Sequence, residues 1–159
     1  MASVLFVCLG NICRSPLAEG VMRDEAAREG VSVEIDSAGT GDWHVGHPPD
    51  VRAQAVAAKN GIDISGLSAR QFDPQDFYAF DHVVAMDSMN LADLEAMRPP
   101  DADATLGRLL DYAPDLGMAD VPDPYQGGPE GFDETYRLVM AGVKGLLATL
   151  KEEGRWPAY

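Results

Sequence analysis

A short apolar run rich in β-branched and aromatic residues, Ser3-Val4-Leu5-Phe6-Val7, breaks at Cys8-Leu9-Gly10-Asn11-Ile12-Cys13-Arg14 and continues as Ser15-Pro16-Leu17. Five residues of this kind read as a buried strand. Gly10 and Asn11 suit backbone angles that other residues avoid. Ser15-Pro16 reads as the start of a helix, with serine as the cap and proline at the first helical position. Leu17, Val21 and Met22 follow at helical spacing over residues 16–29, and Gly30 supplies the stop.

The same alternation continues. A second strand is expected over residues 31–35, leading into Asp36-Ser37-Ala38-Gly39-Thr40, and a helix over 49–59, closed by Asn60-Gly61. A third strand is expected over 80–86, a helix over 88–97 that stops at Pro99-Pro100, a fourth strand over 105–110 and a long helix over 132–151. Strand alternating with helix predicts an α/β fold. It is a single-domain three-layer sandwich over residues 1–159, with a central parallel sheet of about four strands and helices on both faces. Ligands of such sheets sit at the carboxyl ends of the strands. The loop after the first strand lies at one of those ends, and we expect it to bind phosphate.

Cys8 and Arg14 are the chemistry-bearing pair of that loop. Five intervening residues let the chain curl so that backbone N–H groups converge above the Cys8 sulfur, beside a helix N-terminus. Arg14 returns on the far side, where its planar fork can grip two oxygens of a tetrahedral oxyanion. A nucleophilic sulfur must be ionised, whereas a free thiol with a pKa of about 8.5 is mostly protonated at neutral pH. The loop amides, Arg14 and a Ser15 hydroxyl donating to sulfur are the expected stabilisers; a cap role alone would also explain Ser15. An acid for the leaving group is expected at Asp123, held in a stiff segment by Pro122 and Pro124. Away from a Cys8 loop, the same residues would read as an ordinary Asp-Pro turn.

Composition narrows the partners. Twelve Lys and Arg against 26 Asp and Glu leave a net charge of -14. From Asp73 to Glu134 there are 15 acidic residues and two basic ones, Arg98 and Arg108. Nucleic acid and anionic membrane surfaces are poor partners for such a chain, so an anionic ligand must be captured locally. No apolar run approaches the roughly 18 to 20 residues of a membrane span. The first residues lack the basic region of a signal peptide, which predicts a cytoplasmic protein. Two cysteines with four residues between them make neither a disulfide framework nor a zinc site, and no metal or other cofactor is expected.

The run Val4-Leu5-Phe6-Val7-Cys8-Leu9-Gly10-Asn11-Ile12-Cys13-Arg14-Ser15-Pro16 resembles the active-site segment of the low-molecular-weight protein tyrosine phosphatases. Asp36-Ser37-Ala38-Gly39-Thr40, Ala69-Arg70-Gln71, Met86-Asp87 with Asn90, and Asp123-Pro124-Tyr125 resemble that family in the same order. The resemblance implies hydrolysis of phosphotyrosine in protein substrates, with Cys8 as nucleophile, Arg14 as phosphate ligand and Asp123 as proton donor and later base. It implies that Leu9, Gly10, Asn11, Ile12, Cys13 and Ser15 form the phosphate-binding loop, with Asn11 and Ser37 hydrogen-bonded to hold its shape. Trp43 and Tyr125 would line the substrate cleft, and Cys13 would form a reversible disulfide with Cys8 under peroxide. His44, His47 and His82 are left as structural or surface residues.

Two positions depart from the family pattern. Ser65-Gly66-Leu67-Ser68 stands where relatives often carry a loop-supporting histidine, so that support must come from a hydroxyl or be missing. Gln126 replaces a second aromatic residue that many relatives have after the tyrosine. Other functions fit less well. Arsenate reductases of the same fold use further cysteines later in the chain, and none follows Cys13. Protein-arginine phosphatases carry threonine where Ile12 stands, and an apolar side chain suits an aryl ring better. A phosphocysteine carrier would have no use for Arg14 together with a proton donor, and a binding module without activity would not need Cys8 and Asp123.

Overall fold

The computed structural model describes residues 1–153; residues 154–159, which the domain assignment also takes in, lie outside the described residues. The first strand, β1 (Ala2–Cys8), is buried throughout and alternates between two cores. Val4, Phe6 and Cys8 face one, Leu5 and Val7 the other, as the two-residue period of a strand requires. Helix α1 (Arg14–Arg28) follows, then β2 (Val33–Gly39), α2 (Val51–Lys59) and the short α3 (Asp76–Ala79). The chain continues through β3 (His82–Ala85), α4 (Ser88–Met97) and β4 (Thr105–Arg108). Two 3-10 turns, Leu109–Tyr112 and Pro114–Leu116, precede the long α5 (Pro129–Glu152).

The sheet has four parallel strands in the order β2-β1-β3-β4. Leu17, Val21, Met22, Leu138, Val139 and Val143 from α1 and α5, with Ala53 and Val56 from α2, cover the face that carries Phe6 and Cys8. Phe72, Phe77 and Leu94 cover the other. Gly145 lets α5 approach, because a Cβ there would lie 1.8 Å from the Tyr112 carbonyl oxygen. Chain progression reverses around β1: β2 pairs on one side of it and β3 on the other. The carboxyl end of β1 is therefore the switch point at which sheets of this kind open a ligand crevice.

Four local expectations need correction. The second strand runs over Val33–Gly39, four residues past the expected end, because its whole length pairs with β1 from Ala2↔Val33 to Cys8↔Gly39. The parallel ladder satisfies backbone groups that the local sequence gives no reason to pair. The third strand is shorter than expected, and the fourth ends at Arg108, where Leu109–Tyr112 turns into a 3-10 helix. Helix α1 begins at Arg14, and Cys13 occupies its cap position without a side-chain bond. Ser15 is therefore not the cap. Its hydroxyl turns back under the loop, toward Cys8.

Candidate active site

The loop after β1 owes its shape to bonds on its outer side. Thr40 N–H donates to the Cys8 carbonyl and Gly41 N–H to the Leu9 carbonyl, both at 2.9 Å; Asp50 N–H donates to the Ile12 carbonyl at 2.8 Å. In a planar trans peptide, an outward carbonyl turns the next residue's N–H the other way. The amides of Leu9, Gly10 and Cys13 thus face away from the 40–50 segment, toward the hollow of the loop. The end of β2 just before it comes so close that a Cβ at Gly39 would lie 2.7 Å from the Leu9 carbonyl oxygen.

Asn11 closes the curl. At φ 56° it is the only non-glycine residue with positive φ among the described residues, a conformation asparagine tolerates better than most. Its side chain is fully engaged. Oδ1 accepts from Arg70 N–H at 3.0 Å, while Nδ2 donates to Ser15 Oγ at 2.8 Å and Ser37 Oγ at 3.0 Å. Ser15 Oγ accepts from Asn11, and its hydroxyl has the Cys8 sulfur at 3.0 Å and the Ala38 carbonyl at 3.4 Å as acceptors within reach. Asn11 N–H also reaches that sulfur, at 3.3 Å. The Asn11 amide and the Ser15 hydroxyl therefore meet at Cys8 Sγ.

Behind the loop lies a residue that sequence reasoning missed. Ser37 Oγ donates to Glu19 Oε1 at 2.7 Å, and Glu19, 2% exposed, accepts from Arg23 through Nη2 and Nε at 2.7 and 3.2 Å. Its signal was a glutamate on the buried face of α1, among Leu17, Val21 and Met22. Among the hydrogen bonds around Asn11, no partner comes from the 65–68 segment, where a hydroxyl could have given support. The support comes from Ser37, Glu19 and the Arg70 amide.

Arg14 is almost fully buried. Its Nη1 donates to Asp87 Oδ2 at 2.6 Å and to the Val121 carbonyl at 3.0 Å, and its Nη2 lies 3.7 Å from Asp123 Oδ2. Burial works against its charge, but the neighbouring Cys8 and Asp87 hold the guanidinium above its ordinary pKa. Asp87 was quoted in the sequence only as part of a motif. Here it also caps α4 by accepting from Asn90 N–H at 2.7 Å. Asp123 accepts from Tyr125 N–H at 3.0 Å, which turns the segment after it.

One cleft of about 330 Å³ gathers Cys8, Leu9, Gly10, Ile12, Cys13, Arg14, Trp43, Asp123 and Tyr125, with His44 and Gln126. The expected site residues thus converge, with Asn11, Ser15 and Ser37 beneath the loop. Trp43 is largely exposed and Tyr125 half-exposed at the rim. His44, left as structural or surface, lines this cleft beside Tyr125; local sequence carried no signal for that. Cys8 and Cys13 are both free thiols, and burial first, then the charges of Asp50, Cys8 and Asp123, push the Cys13 thiol up to about 12. Among the described residues no group of three or more His, Cys, Asp or Glu is arranged to hold a metal ion, and no helix is long and apolar enough to cross a membrane.

Comparison with known proteins gives this geometry its context. Residues 3–156 match the family model described as low molecular weight phosphotyrosine protein phosphatase. The sequence is 46% identical over 155 residues to low molecular weight protein-tyrosine-phosphatase YfkJ of Bacillus subtilis, covering 96% of this chain and 98% of that protein. The crystal structure of YfkJ superposes with a TM-score of 0.90, covering 96% of each chain. A low molecular weight protein-tyrosine-phosphatase of Streptomyces coelicolor is 47% identical over 159 residues, covering 96% of each chain. The crystal structure described as a Drosophila arginine phosphatase is 33% identical with a TM-score of 0.88, covering 93% of this chain and 97% of that one.

Proposed function

The chain belongs to the low molecular weight phosphotyrosine protein phosphatases, and from that premise we propose that its cleft hydrolyses phosphotyrosine through a phosphocysteine on Cys8. The observation that carries this reading is the meeting of Cys8 Sγ, Arg14 and Asp123 in one cleft. The phosphoryl group sits on the loop amides and Arg14, which take up charge on its equatorial oxygens. The Cys8 thiolate attacks phosphorus and the bond to the aryl oxygen breaks. That oxygen takes the Asp123 proton. Water then attacks the phosphocysteine, Asp123 receives the water's proton, the S–P bond breaks, and inorganic phosphate leaves with the Cys8 thiolate restored. No cofactor enters this scheme.

Asp87 and Val121 fix Arg14 from outside the loop, so its orientation precedes substrate binding. Ile12, Trp43 and Tyr125 offer the aryl ring apolar and aromatic walls. They favour phosphotyrosine over phosphoarginine, whose guanidinium would lack a partner at Ile12. We read the chain as one domain acting on phosphotyrosine-bearing proteins in the cytoplasm, a reducing compartment suited to two free thiols. Neither nucleic acid nor membrane is a partner in this reading.

The test is the burst phase with two esters. Asp123→Asn should slow phosphoenzyme formation from phenyl phosphate by roughly 10²- to 10⁴-fold and leave dinitrophenyl phosphate nearly unchanged, because the dinitrophenolate leaves without a proton. Equal slowing of both would remove Asp123 from the role of acid. Faster turnover of phosphoarginine than of phosphotyrosine would favour the arginine phosphatase reading.

A further inference from the structure

Asp123 is carried by a stretch without regular structure, residues 117–128. On its amino side the stretch is well anchored. Val121 is buried, its N–H donates to the Met86 carbonyl at 2.9 Å, and its carbonyl accepts from Arg14. On the carboxyl side Pro124 is buried, but Tyr125, Gln126, Gly127 and Gly128 beyond it are exposed. The hydrogen bonds that tie this side to α2 both come from Arg52: Nη2 donates to the Tyr125 carbonyl at 2.9 Å and Nη1 to the Gly127 carbonyl at 3.0 Å.

Arg52 is itself held in place. Its Nε and Nη2 donate to the two oxygens of Asp50, each at 3.1 Å. The guanidinium lies over the rings of Phe132, at 4.7 Å, and Tyr125, at 5.6 Å. Asp50 in turn donates its N–H to Ile12 of the phosphate-binding loop. A continuous chain of contacts therefore runs from the loop that binds phosphate, through Asp50 and Arg52, to the backbone just past the proton donor.

We propose that Arg52 is a positioning residue for the proton donor, a strap that fixes the segment after Asp123 against the rim of the phosphate-binding loop. This rests on Asp123 being the acid. The planar fork suits the task, since one guanidinium spans a carboxylate and two carbonyls in fixed geometry. Asp50 stays ionised as its partner, because the Arg52 hydrogen bond holds its carboxyl below the usual range. Without the strap the Val121 anchor remains, and Asp123 samples positions away from the leaving oxygen. A displacement of about 1 Å at a reacting group can cost on the order of 100-fold.

Arg52→Met keeps an apolar stem over Phe132 and removes the fork. Burst kinetics of the full chain, with phenyl and dinitrophenyl phosphate, test it. Phosphorylation by phenyl phosphate should slow roughly tenfold, a fraction of the full proton-transfer effect, while the dinitrophenyl burst, which also reports an intact loop, should stay within about twofold. The double variant Arg52→Met with Asp123→Asn should be no slower than Asp123→Asn alone, since both act on the same proton. Slowing of both esters by Arg52→Met beside a selective Asp123→Asn, slowing of neither, or additive losses in the double variant would overturn the strap. Equal slowing of both esters by Asp123→Asn would overturn the acid assignment, and this inference with it.

Discussion

Arg14 Nη1 and Asp87 Oδ2 stand 2.6 Å apart, joining the first turn of α1 to the residue that caps α4, with Arg14 almost wholly excluded from solvent. The pair links the N-termini of α1 and α4. Breaking it leaves the buried Arg14 with only the more distant Asp123 and the Val121 carbonyl beside Cys8. Asp87→Ala should destabilise the protein by up to about 3 kcal/mol from the lost ion pair, with about 1 kcal/mol more from the lost cap. Asp87→Asn keeps a capping side chain and should lose less. Urea denaturation measures both. Inorganic phosphate should raise the denaturation midpoint of Asp87→Ala more than that of the unsubstituted protein, because it returns an anion to Arg14. Equal phosphate effects would show that Arg14 does not depend on Asp87.

Cys8→Ser should abolish turnover yet still bind phosphate, because Arg14 and the loop amides remain. Arg14→Ala should lose both. The phosphate-dependent rise in melting temperature separates the two variants. Turnover of even a few per cent in Cys8→Ser would place the nucleophile elsewhere.

Asn11 combines a backbone requirement with a hydrogen-bonding one, and two substitutions separate them. Asn11→Gly keeps the positive φ at no steric cost but leaves Ser15, Ser37 and the Arg70 amide without their partner. Asn11→Ala loses the same bonds and adds a Cβ penalty of about 1 to 2 kcal/mol. Both should slow iodoacetamide labelling of Cys8, since the Ser15 hydroxyl is no longer turned toward the sulfur. Asn11→Ala should also be the less stable of the two. Unchanged labelling in both variants would reduce the network behind the loop to packing.

Alkaline pH should expose Cys13. Its folded thiol is pushed up to about 12, chiefly by burial, whereas an unfolded cysteine ionises near 8.5. The folded state holds the extra proton, so this contribution is complete below about pH 8.5 and is lost as pH rises toward 12. Tyr112, also raised by burial, acts in the same direction, so the informative quantity is a difference. Between pH 8 and 10.5, Cys13→Ala should lose stability less steeply than the unsubstituted protein in urea titrations. Parallel slopes would mean that Cys13 is not titrating in that window.

The same burial bears on oxidation. Peroxide should inactivate the enzyme reversibly if a sulfenic acid on Cys8 is captured by Cys13, with dithiothreitol restoring activity. A thiol this hard to ionise attacks slowly near neutrality. The recoverable fraction should therefore rise as the peroxide treatment moves from pH 7 to 9, and Cys13→Ala should show no such rise. Identical recovery in the two proteins would leave Cys13 a packing residue.

Local sequence was enough for the elements whose causes are local. The apolar run before Cys8, the five-residue spacing to Arg14 and the Pro-Asp-Pro segment at 122–124 each act through their own backbone, and strand–helix alternation along the chain specifies a parallel sheet. Other features depended on neighbours distant in sequence. β2 extends to Gly39 because β1 offers it a ladder. Ser15 leaves its expected cap role because Cys8 and Asn11 claim its hydroxyl, and His44 reaches the cleft because the 40–50 segment folds over Gly10. The roles of Glu19, Asp87 and Arg52 were not legible locally, although Glu19 stands on a buried helix face and Asp87 lies in a quoted motif. Glu19 and Arg52 find their opposite charges nearby, in Arg23 and Asp50. The hydrogen-bond partners that tie them to the site, Ser37 and the Tyr125 carbonyl, lie 18 and 73 residues away, as Arg14 lies 73 from Asp87, and only tertiary packing brings those within reach.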